Sequence, residues 1–145
     1  MSTSDWIAIC ALTVAALSAA ISLYVLRETR RANRLVLLDR RVAIYEAFKC
    51  LATEALCQSE MLSSEELHAF EPHAKAAALH LPTQLAAEVA AFYEDCGTVV
   101  WARGLREPAD DEYVLKSKRA AERIHQNALG IQDRLLALVR HATAA

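Results

Sequence analysis

The stretch that decides the fold reads WIAICALTVAALSAAISLYVL, from Trp6 to Leu26. It contains 21 residues, none of them charged. At about 1.5 Å per residue, a helix of this length extends roughly 31 Å, which matches a hydrocarbon core of about 30 Å. Ser4 precedes the run and can cap such a helix. The sequence therefore predicts a transmembrane helix over residues 6–26, preceded by a short extracytoplasmic end of residues 1–5.

Charge is distributed unevenly around this helix. Residues 27–34 carry four Arg and one Glu, a net charge of +3, whereas Asp5 is the only charged side chain before the span. By the positive-inside rule, the basic side stays in the cytoplasm and the amino end crosses the membrane. A cleavable signal peptide is the alternative, because Ser18-Ala19-Ala20 resembles a cleavage site, but such a peptide carries its basic residues before the apolar run. We expect a retained helix in the inner membrane, with the carboxyl end in the cytoplasm.

Two features of this region predict contacts with lipid and with other spans. The basic juxtamembrane segment, residues 27–34, is expected to attract anionic headgroups at about 1 kcal/mol per charge. Its basic residues are Arg27, Arg30, Arg31 and Arg34. Inside the span, small residues recur at steps of three and four, namely Ala8, Ala11, Ala15, Ala19 and Ser22. Such stripes let helices approach closely, and we expect self-association through Ala11, Ala15 and Ala19, although an Ala-rich span also produces them by chance.

Composition excludes several other classes of protein. The chain has 145 residues, 54% hydrophobic and 23% charged, with a net charge of −2; a disordered chain is less apolar and a nucleic-acid-binding tail is more basic. The 3 Gly and 3 Pro are too few for the tight turns of a β-sandwich or barrel. The 4 Cys lack a CxxC pair, which argues against a disulfide scaffold. In a reducing cytoplasm we expect Cys50, Cys57 and Cys96 to be small buried side chains.

The cytoplasmic domain, residues 35–145, begins with a continuation of the spanning helix. No Gly or Pro precedes Ser63, so this helix is expected to run unbroken to about Gln58. Ser63 and Glu66 then form a capping-box pattern that begins a second helix at about Ser64. The apolar positions of the first cytoplasmic stretch return at helical spacing: they are Leu35, Leu38, Val42, Tyr45, Phe48, Ala52, Ala55 and Leu56, with Leu37, Ile44 and Leu51 beside them.

Pro and Gly indicate where helices start, end or are interrupted in the rest of the domain. Pro72 is expected to kink or break the second helix. Pro82 fits the first position of a third helix, and Gly104 fits the left-handed position after its end. The apolar face of this third helix comprises Leu85, Val89, Phe92, Cys96, Val99 and Val100.

The last helix has the most regular pattern in the chain. Pro108, Asp110, Asp111 and Glu112 are expected at its start, with Arg140 and His141 at its end, where these charges suit the helix dipole. Its seam alternates steps of three and four: Val114, Ser117, Ala121, Ile124, Ala128, Ile131, Leu135 and Leu138. The sequence thus predicts an all-α fold, in which an N-terminal transmembrane helix continues into a cytoplasmic antiparallel bundle of three to four helices.

The start of the cytoplasmic domain carries a motif. Residues 30–34 read RRANR, and residues 37–48 read LLDRRVAIYEAF. They resemble a loosely defined group of uncharacterised bacterial proteins, in which one N-terminal spanning helix leads into a helical domain opening with Asp-[Lys/Arg]-Arg-x-x-x-Tyr-Glu-Ala. Residues 66–70 and 85–93 are similar to the downstream helices of that group. The resemblance implies a bacterial inner membrane and an α-helical cytoplasmic domain, and it implies no known activity. Within the motif, Arg41 and Tyr45 are spaced as an i,i+4 pair.

The sharpest chemical hypothesis is a carboxylate-bridged two-metal site. Four-helix proteins of that kind take Glu-x-x-His from two helices, because a one-turn spacing directs both side chains to one metal pair. Glu65 and His68 on the second helix have this spacing, as do Glu122 and His125 on the last. Composition produces such pairs by chance, Glu65 lies in a first turn, and Glu122 lies beside the seam. We therefore expect no metal ion and no cofactor.

Motifs for other chemistries are absent from the sequence. There is no GxSxG elbow, Cys-His signature or Gly-rich phosphate loop. We expect a single-pass membrane-anchored helical interaction or scaffold module without catalytic activity. Its partners are the lipid bilayer and either itself or another protein, with no nucleic acid and no small-molecule substrate. Two alternatives remain: a membrane-disrupting toxin or defence effector acting through clustered spanning helices, and the two-metal four-helix enzyme.

Overall fold

A computed structural model of the chain describes residues 3–57, 62–104 and 111–143. These residues form four helices in the order α1 (Thr3–Cys57), α2 (Ser64–His80), α3 (Thr83–Gly104) and α4 (Asp111–Thr143). No strand occurs in the described ranges. The predicted all-α fold, with a long N-terminal apolar helix followed by a helical bundle, is confirmed.

Helix α1 contributes to two units of the chain. The first unit, Met1–Leu37, is built on the amino-terminal part of α1, and the second, Leu38–Ala145, contains the rest of α1 together with α2, α3 and α4. The helix runs for 55 residues without a break, because Gly and Pro are absent from it and Ala, Leu and Arg favour helix. The apolar stretch and the part of α1 in the bundle thus form one continuous helix, while the predicted end at Gln58 lies just outside the described residues.

Within the second unit, successive helices run antiparallel. Helix α3 packs against both α2 and α4. Side-chain contacts fix the directions, because residue numbers rise along one helix while they fall along its neighbour. The contacts are Arg41 with His80 and Phe48 with Phe70, then Leu67 with Gly97 and Phe70 with Tyr93, then Glu88 with Arg134 and Asp95 with Arg123. The four helices thus form the predicted antiparallel bundle.

The core of the bundle is centred on Phe48 of α1. Its ring lies 6.2 Å from that of Phe70 and 4.8 Å from that of Phe92, centroid to centroid, so α1, α2 and α3 meet there. Helix α4 adds Ile131 and Leu135, both almost completely buried. Ala86 of α3 is buried outside the predicted stripe. The other members from α1 and α3 match the predicted stripes: Ile44, Leu51, Ala52, Ala55, Leu85, Val89, Cys96 and Val99. Leu35 of the predicted α1 stripe is instead 59% exposed.

Helix α2 begins with the predicted capping box. The Ser63 hydroxyl accepts from the backbone N–H of Glu66 (3.2 Å), and the Glu66 carboxylate accepts from the backbone N–H of Ser63 (3.0 Å). Two backbone donors that lack helical partners are thereby satisfied. At the other end, the N–H of Leu81 donates to the carbonyl of Ala77 (2.9 Å). The position of this start was therefore readable from four residues of sequence.

Pro72 does not break α2, so that form of the prediction is wrong. The helix continues through Pro72 as far as His80. A proline inside a helix removes one backbone hydrogen bond and costs about 3 kcal/mol. Phe70 before it and Ala77 after it are both buried in the same core, so packing on either side offsets that cost.

Two other predicted details shift, and a third is confirmed in part. Helix α3 begins at Thr83, one residue after Pro82, whose carbonyl accepts the first helical bond from the N–H of Ala86 (2.9 Å). Gly104 ends α3 within the helix, and no described residue has a positive φ, so the left-handed cap is wrong. At the start of α4, Asp111 and Glu112 lie in the first turn as predicted, while Pro108 and Asp110 lie outside the described residues.

The seam of α4 is correct in its second half and rotated in its first. Ile124, Ala128, Ile131 and Leu135 are buried. Nearer the start, Val114 is 42% exposed, and Ala120 is buried where the pattern placed Ala121. At this end of α4, Trp101 of α3 packs against Tyr113, and the face that carries Val114 remains exposed.

Candidate interaction surfaces

The amino-terminal part of α1 is one continuous exposed surface. Within the described residues, α1 is the one helix long and apolar enough to cross a membrane, with an 18-residue window of mean hydropathy 2.2 and no buried residue in it. Trp6, Leu12 and Tyr24 are among its large exposed side chains. In water, such a surface would carry a large cost, since burial of apolar area is worth about 25 cal/mol per Å². A hydrocarbon environment removes that cost.

Two hydroxyl groups inside the span are satisfied by their own helix. Thr13 Oγ1 donates to the carbonyl of Cys10 (2.8 Å), and Ser22 Oγ donates to the carbonyl of Ser18 (2.8 Å). Polar groups in hydrocarbon need partners, and these bonds supply them within one chain. Close contact between two such helices would therefore rest on packing rather than on these hydroxyls.

The predicted self-association residues lie on this exposed helix. Ala11 and Ala15 line a shallow apolar groove of about 670 Å³, with Ile7 and Val14 among its other walls. Ala19 is exposed two turns after Ala11. The groove exists because small side chains leave the backbone accessible between larger neighbours, which is the geometry that close helix packing uses.

The four Arg predicted to contact lipid headgroups come directly after this apolar stretch in α1. All of them are exposed in the helical stretch between the apolar window and the bundle: Arg27, Arg30, Arg31 and Arg34. Because the helix is continuous through them, their side chains leave the axis in fixed directions, set by about 100° of rotation per residue.

The structure does not gather the candidate metal ligands. Glu65, His68, Glu122 and His125 are all exposed. The Nδ1 of His68 lies 2.6 Å from the carbonyl of Ser64 in its own helix. Among the described residues there is no group of three or more His, Cys, Asp or Glu side chains that could hold a metal ion. Because two-metal sites need their ligands inside the bundle, this geometry disfavours the two-metal hypothesis.

Two ion pairs that join α3 to α4 were not predicted from the sequence. Arg123 Nε donates to Asp95 Oδ2 (3.0 Å), and Arg134 Nη1 donates to Glu88 Oε1 (2.8 Å). The second carboxylate oxygen of Glu88 is buried and lies against Arg134 Nη2. Between the two pairs the helices leave a cleft of about 450 Å³. Partners separated by 28 and 46 residues have no signature in local spacing, so only the fold identifies them.

The second Arg of the Asp-Arg-Arg motif has a structural role. Arg41 Nε donates to the backbone carbonyl of His80 (3.0 Å), at the end of α2. This bond satisfies a carbonyl of the last turn and places a cation at the negative end of the helix. The motif thus ties α1 to α2 within the bundle, through a contact other than the i,i+4 pairing with Tyr45.

The cysteine prediction is right for one position and wrong for two. Cys96 is completely buried, and burial raises the pKa of its thiol to about 12. Cys50 and Cys57 are exposed on α1. They are seven residues apart and share a helix face, and that face lies outside the stripe of Ile44, Phe48 and Leu51 that enters the core. The prediction followed the general preference of a free cysteine for burial, whereas the helix face decides the exposure of Cys50 and Cys57.

Exposed aromatic rings mark the end of the bundle where α3 ends and α4 begins. Trp101 and Tyr113 have ring centroids 5.4 Å apart, and Lys116 Nζ lies 5.5 Å from the Tyr113 ring centre. Lys116 also pairs with Glu112, one turn earlier, and this pair raises the pKa of the amine and lowers that of the carboxyl.

No protein-family model, curated protein or solved structure matches this chain.

Proposed function

We propose that this chain is a single-pass membrane-anchored interaction module of a bacterial inner membrane, without catalytic activity of its own. One observation carries the proposal: the window of mean hydropathy 2.2 has no buried residue, while the bundle fills a core with its own side chains. A helical stretch that contributes no residue to the core and is apolar on every side has the properties of a membrane anchor. The helical domain attached to it would then present its outer surface to a partner.

The orientation follows from charge. Residues 27–34 carry +3, and no Lys or Arg precedes the span. The amino end is therefore outside, and residues 35–145 are in the cytoplasm. Fusion of a reporter active only in the periplasm to the carboxyl end should give no signal, and a cytoplasmic reporter there should be active. The spanning helix should be retained in the mature protein. A periplasmic signal, or a mature chain beginning near Ile21, would overturn the orientation and the anchor respectively.

Self-association of the spans is the interaction that the surface supports best. Ala11, Ala15 and Ala19 offer close approach, and the span hydroxyls already have partners within the helix. A single span cannot pack against itself, so a second copy or another span must supply that surface.

The test is chemical cross-linking of the full chain in its native membrane. The double variant Ala15→Ile and Ala19→Ile stays apolar enough to insert, but it fills the close-approach surface, and the dimer yield should fall several-fold. Leu17→Ile, on the opposite side of the helix, is the matched control and should leave the yield unchanged. An equal yield in all three proteins would exclude the stripe, and a monomer in every protein would exclude self-association.

Two results would redirect the proposal. Growth arrest on overexpression, abolished by the Ala15→Ile and Ala19→Ile double variant, would indicate a membrane-disrupting effector instead of a scaffold. Recovery of one other membrane protein, dependent on the span, would identify a heterologous partner for the same surface.

A further inference from the structure

Helix α1 keeps one face free of charge while it passes through the Arg-rich segment. The ten residues from Arg27 to Val36 contain five charged side chains, and every one of these ten residues is exposed and helical. Their directions around the axis are therefore set by the helix alone. Charge scattered without constraint would be expected on all sides.

The span provides an independent register. One set of its small residues follows alternating steps of three and four, with Ser18 in place of the adjacent Ala19 of the self-association stripe. The same steps continue past the membrane without a charged residue. The positions are Ala8, Ala11, Ala15, Ser18, Ser22, Val25, Thr29, Ala32 and Val36. We call the last four of them, from Val25 to Val36, the juxtamembrane seam. It extends about 17 Å along the helix.

The Arg side chains lie opposite this seam. At about 100° per residue, the seam residues share an arc of roughly 60°, and the four Arg are centred about 180° away. In heptad terms they occupy all four outward positions available between Arg27 and Val36. A random placement would do so about once in 200 trials, so the segregation calls for a physical cause. The positions flanking the seam carry no basic residue; they are Leu26, Glu28, Asn33 and Leu35.

We propose that the juxtamembrane seam packs against the same seam of a second copy of this chain, as a parallel two-helix coil that extends the pairing of the spans into the cytoplasm. The inference rests on the proposed function, because insertion in one direction makes the two copies parallel and in register. Nothing in the described chain covers the seam, since Val25 and Val36 are 54% and 60% exposed. Glu28 of one copy would face Asn33 of the other across the flank, where the amide can donate to the carboxylate.

The positions of the Arg residues favour a second copy of this chain as the partner at the seam. In a parallel pair, the outward Arg of the two copies lie at least about 13 Å apart, beyond the screening length of about 8 Å, so their repulsion is weak. The same Arg remain free to meet anionic headgroups around the outside of the pair. The opposite placement, with Arg toward the partner, would prevent a second copy from approaching.

Disulfide trapping in native membranes tests the seam directly. The full chain is first freed of its own thiols by Cys10→Ala, Cys50→Ser, Cys57→Ser and Cys96→Ala. Single cysteines are then introduced in the seam (Thr29→Cys, Ala32→Cys) or opposite it (Arg31→Cys, Arg34→Cys), with Ala15→Cys as a reporter of the spans. A disulfide needs Cα atoms within about 7 Å, so the seam variants should form about tenfold more linked dimer than the outward ones.

The outcomes separate this inference from the proposed function. Equal yields at Ala32→Cys and Arg34→Cys, or a higher yield at Arg34→Cys, would overturn the seam. If Ala15→Cys still links in that case, the spans pair and the proposed function stands. If Ala15→Cys does not link while Ala32→Cys does, the seam holds and the pairing is cytoplasmic. The amount of each variant in the membrane, measured by immunoblot, normalises the yields, so poor insertion cannot imitate a low yield.

Discussion

The two parts of α1 present the same kinds of apolar side chain to different surroundings. Between Trp6 and Leu26 the apolar residues point in every direction and all are exposed. After Leu38 they are confined to one stripe, and Ile44, Phe48 and Leu51 are buried against other helices. The distribution of apolar residues around the axis, rather than their number, therefore decides whether a helix packs into protein or into lipid.

Polar groups follow the same division. In the span, Thr13 and Ser22 bond to carbonyls three and four residues away. In the bundle, Arg41, Arg123 and Arg134 reach across to other helices. The hydroxyls of the apolar stretch thus need no partner from another helix, whereas the bundle is held in one arrangement by contacts between distant residues.

The largest difference in stability should come from the same Leu→Ala substitution made in the core of the bundle and in the N-terminal apolar stretch. Leu135 is 1% exposed in the bundle core, and Leu17 is 63% exposed in the span. Leu135→Ala should lower the free energy of unfolding of the bundle by about 2–5 kcal/mol, because it leaves a cavity. Leu17→Ala should leave bundle stability unchanged. Denaturant unfolding of the full chain in mild detergent, followed by circular dichroism, measures both.

Gln132 supplies a control inside α4 itself. It lies next to the buried Ile131 but is only half-buried, and Gln132→Ala should change stability little. If the Leu135→Ala and Gln132→Ala variants had the same free energy of unfolding, the assigned core face of α4 would be incorrect. If Leu17→Ala destabilised the bundle as much as Leu135→Ala, the division of the chain into anchor and core would fail.

Whether a feature could be predicted from the sequence depends on how far apart in the sequence its interacting residues lie. The Ser63–Glu66 capping box and the stripe of α3 depend on residues a few positions apart, and both are present in the structure. The exposure of Val114 and the Arg123–Asp95 pair depend on where other helices begin and end. Local periodicity carries no information about that, so these features became visible only once the helices were packed.

Pro72 tests how far packing overrides local preference. It is exposed within α2, where its ring removes a hydrogen bond that the His68 carbonyl would otherwise accept. Pro72→Ala restores the donor, and we expect stabilisation by about 1–3 kcal/mol, after allowing for the greater freedom of the unfolded chain. A rise in the denaturant midpoint of the full chain measures it. A loss of stability would instead show that the ring itself contributes to packing.

Cys96 should make the stability of the bundle depend on alkaline pH. Its pKa is raised from about 9.0 to about 12 by burial, with a smaller contribution from the nearby charge of Asp95. Below pH 9 the thiol is protonated in both the folded and the unfolded chain, so it has no effect. Above pH 9 only the unfolded chain releases the proton, and stability should fall by about 1.4 kcal/mol per pH unit up to pH 12.

The comparison is between the native chain and Cys96→Ala, unfolded at pH 8 and at pH 10. The variant loses some packing at both pH values, but its stability should fall less between them, by about 1.4 kcal/mol for the unit above pH 9. Equal slopes would show that the thiol ionises in the folded bundle, and hence that it is accessible. Alkylation at pH 7 gives a second readout, because Cys50 and Cys57 should react at once and Cys96 only after unfolding.

The smallest expected effect concerns the contacts that hold α3 to α4. Arg123 is half exposed and binds Asp95 through two nitrogens, and this pairing raises the pKa of the guanidinium. Solvent screens such a pair, so Asp95→Asn should cost only about 0.5–1 kcal/mol, and less at high salt. A double-mutant cycle with Arg123→Gln isolates the pairwise contribution. The surface pair of Lys75 and Glu71, one turn apart on α2, is the control, and Glu71→Gln should have no measurable effect. If both carboxylates gave the same small change, the pair between helices would add no more than one within a helix, and the rigidity of the bundle would rest on its apolar core alone.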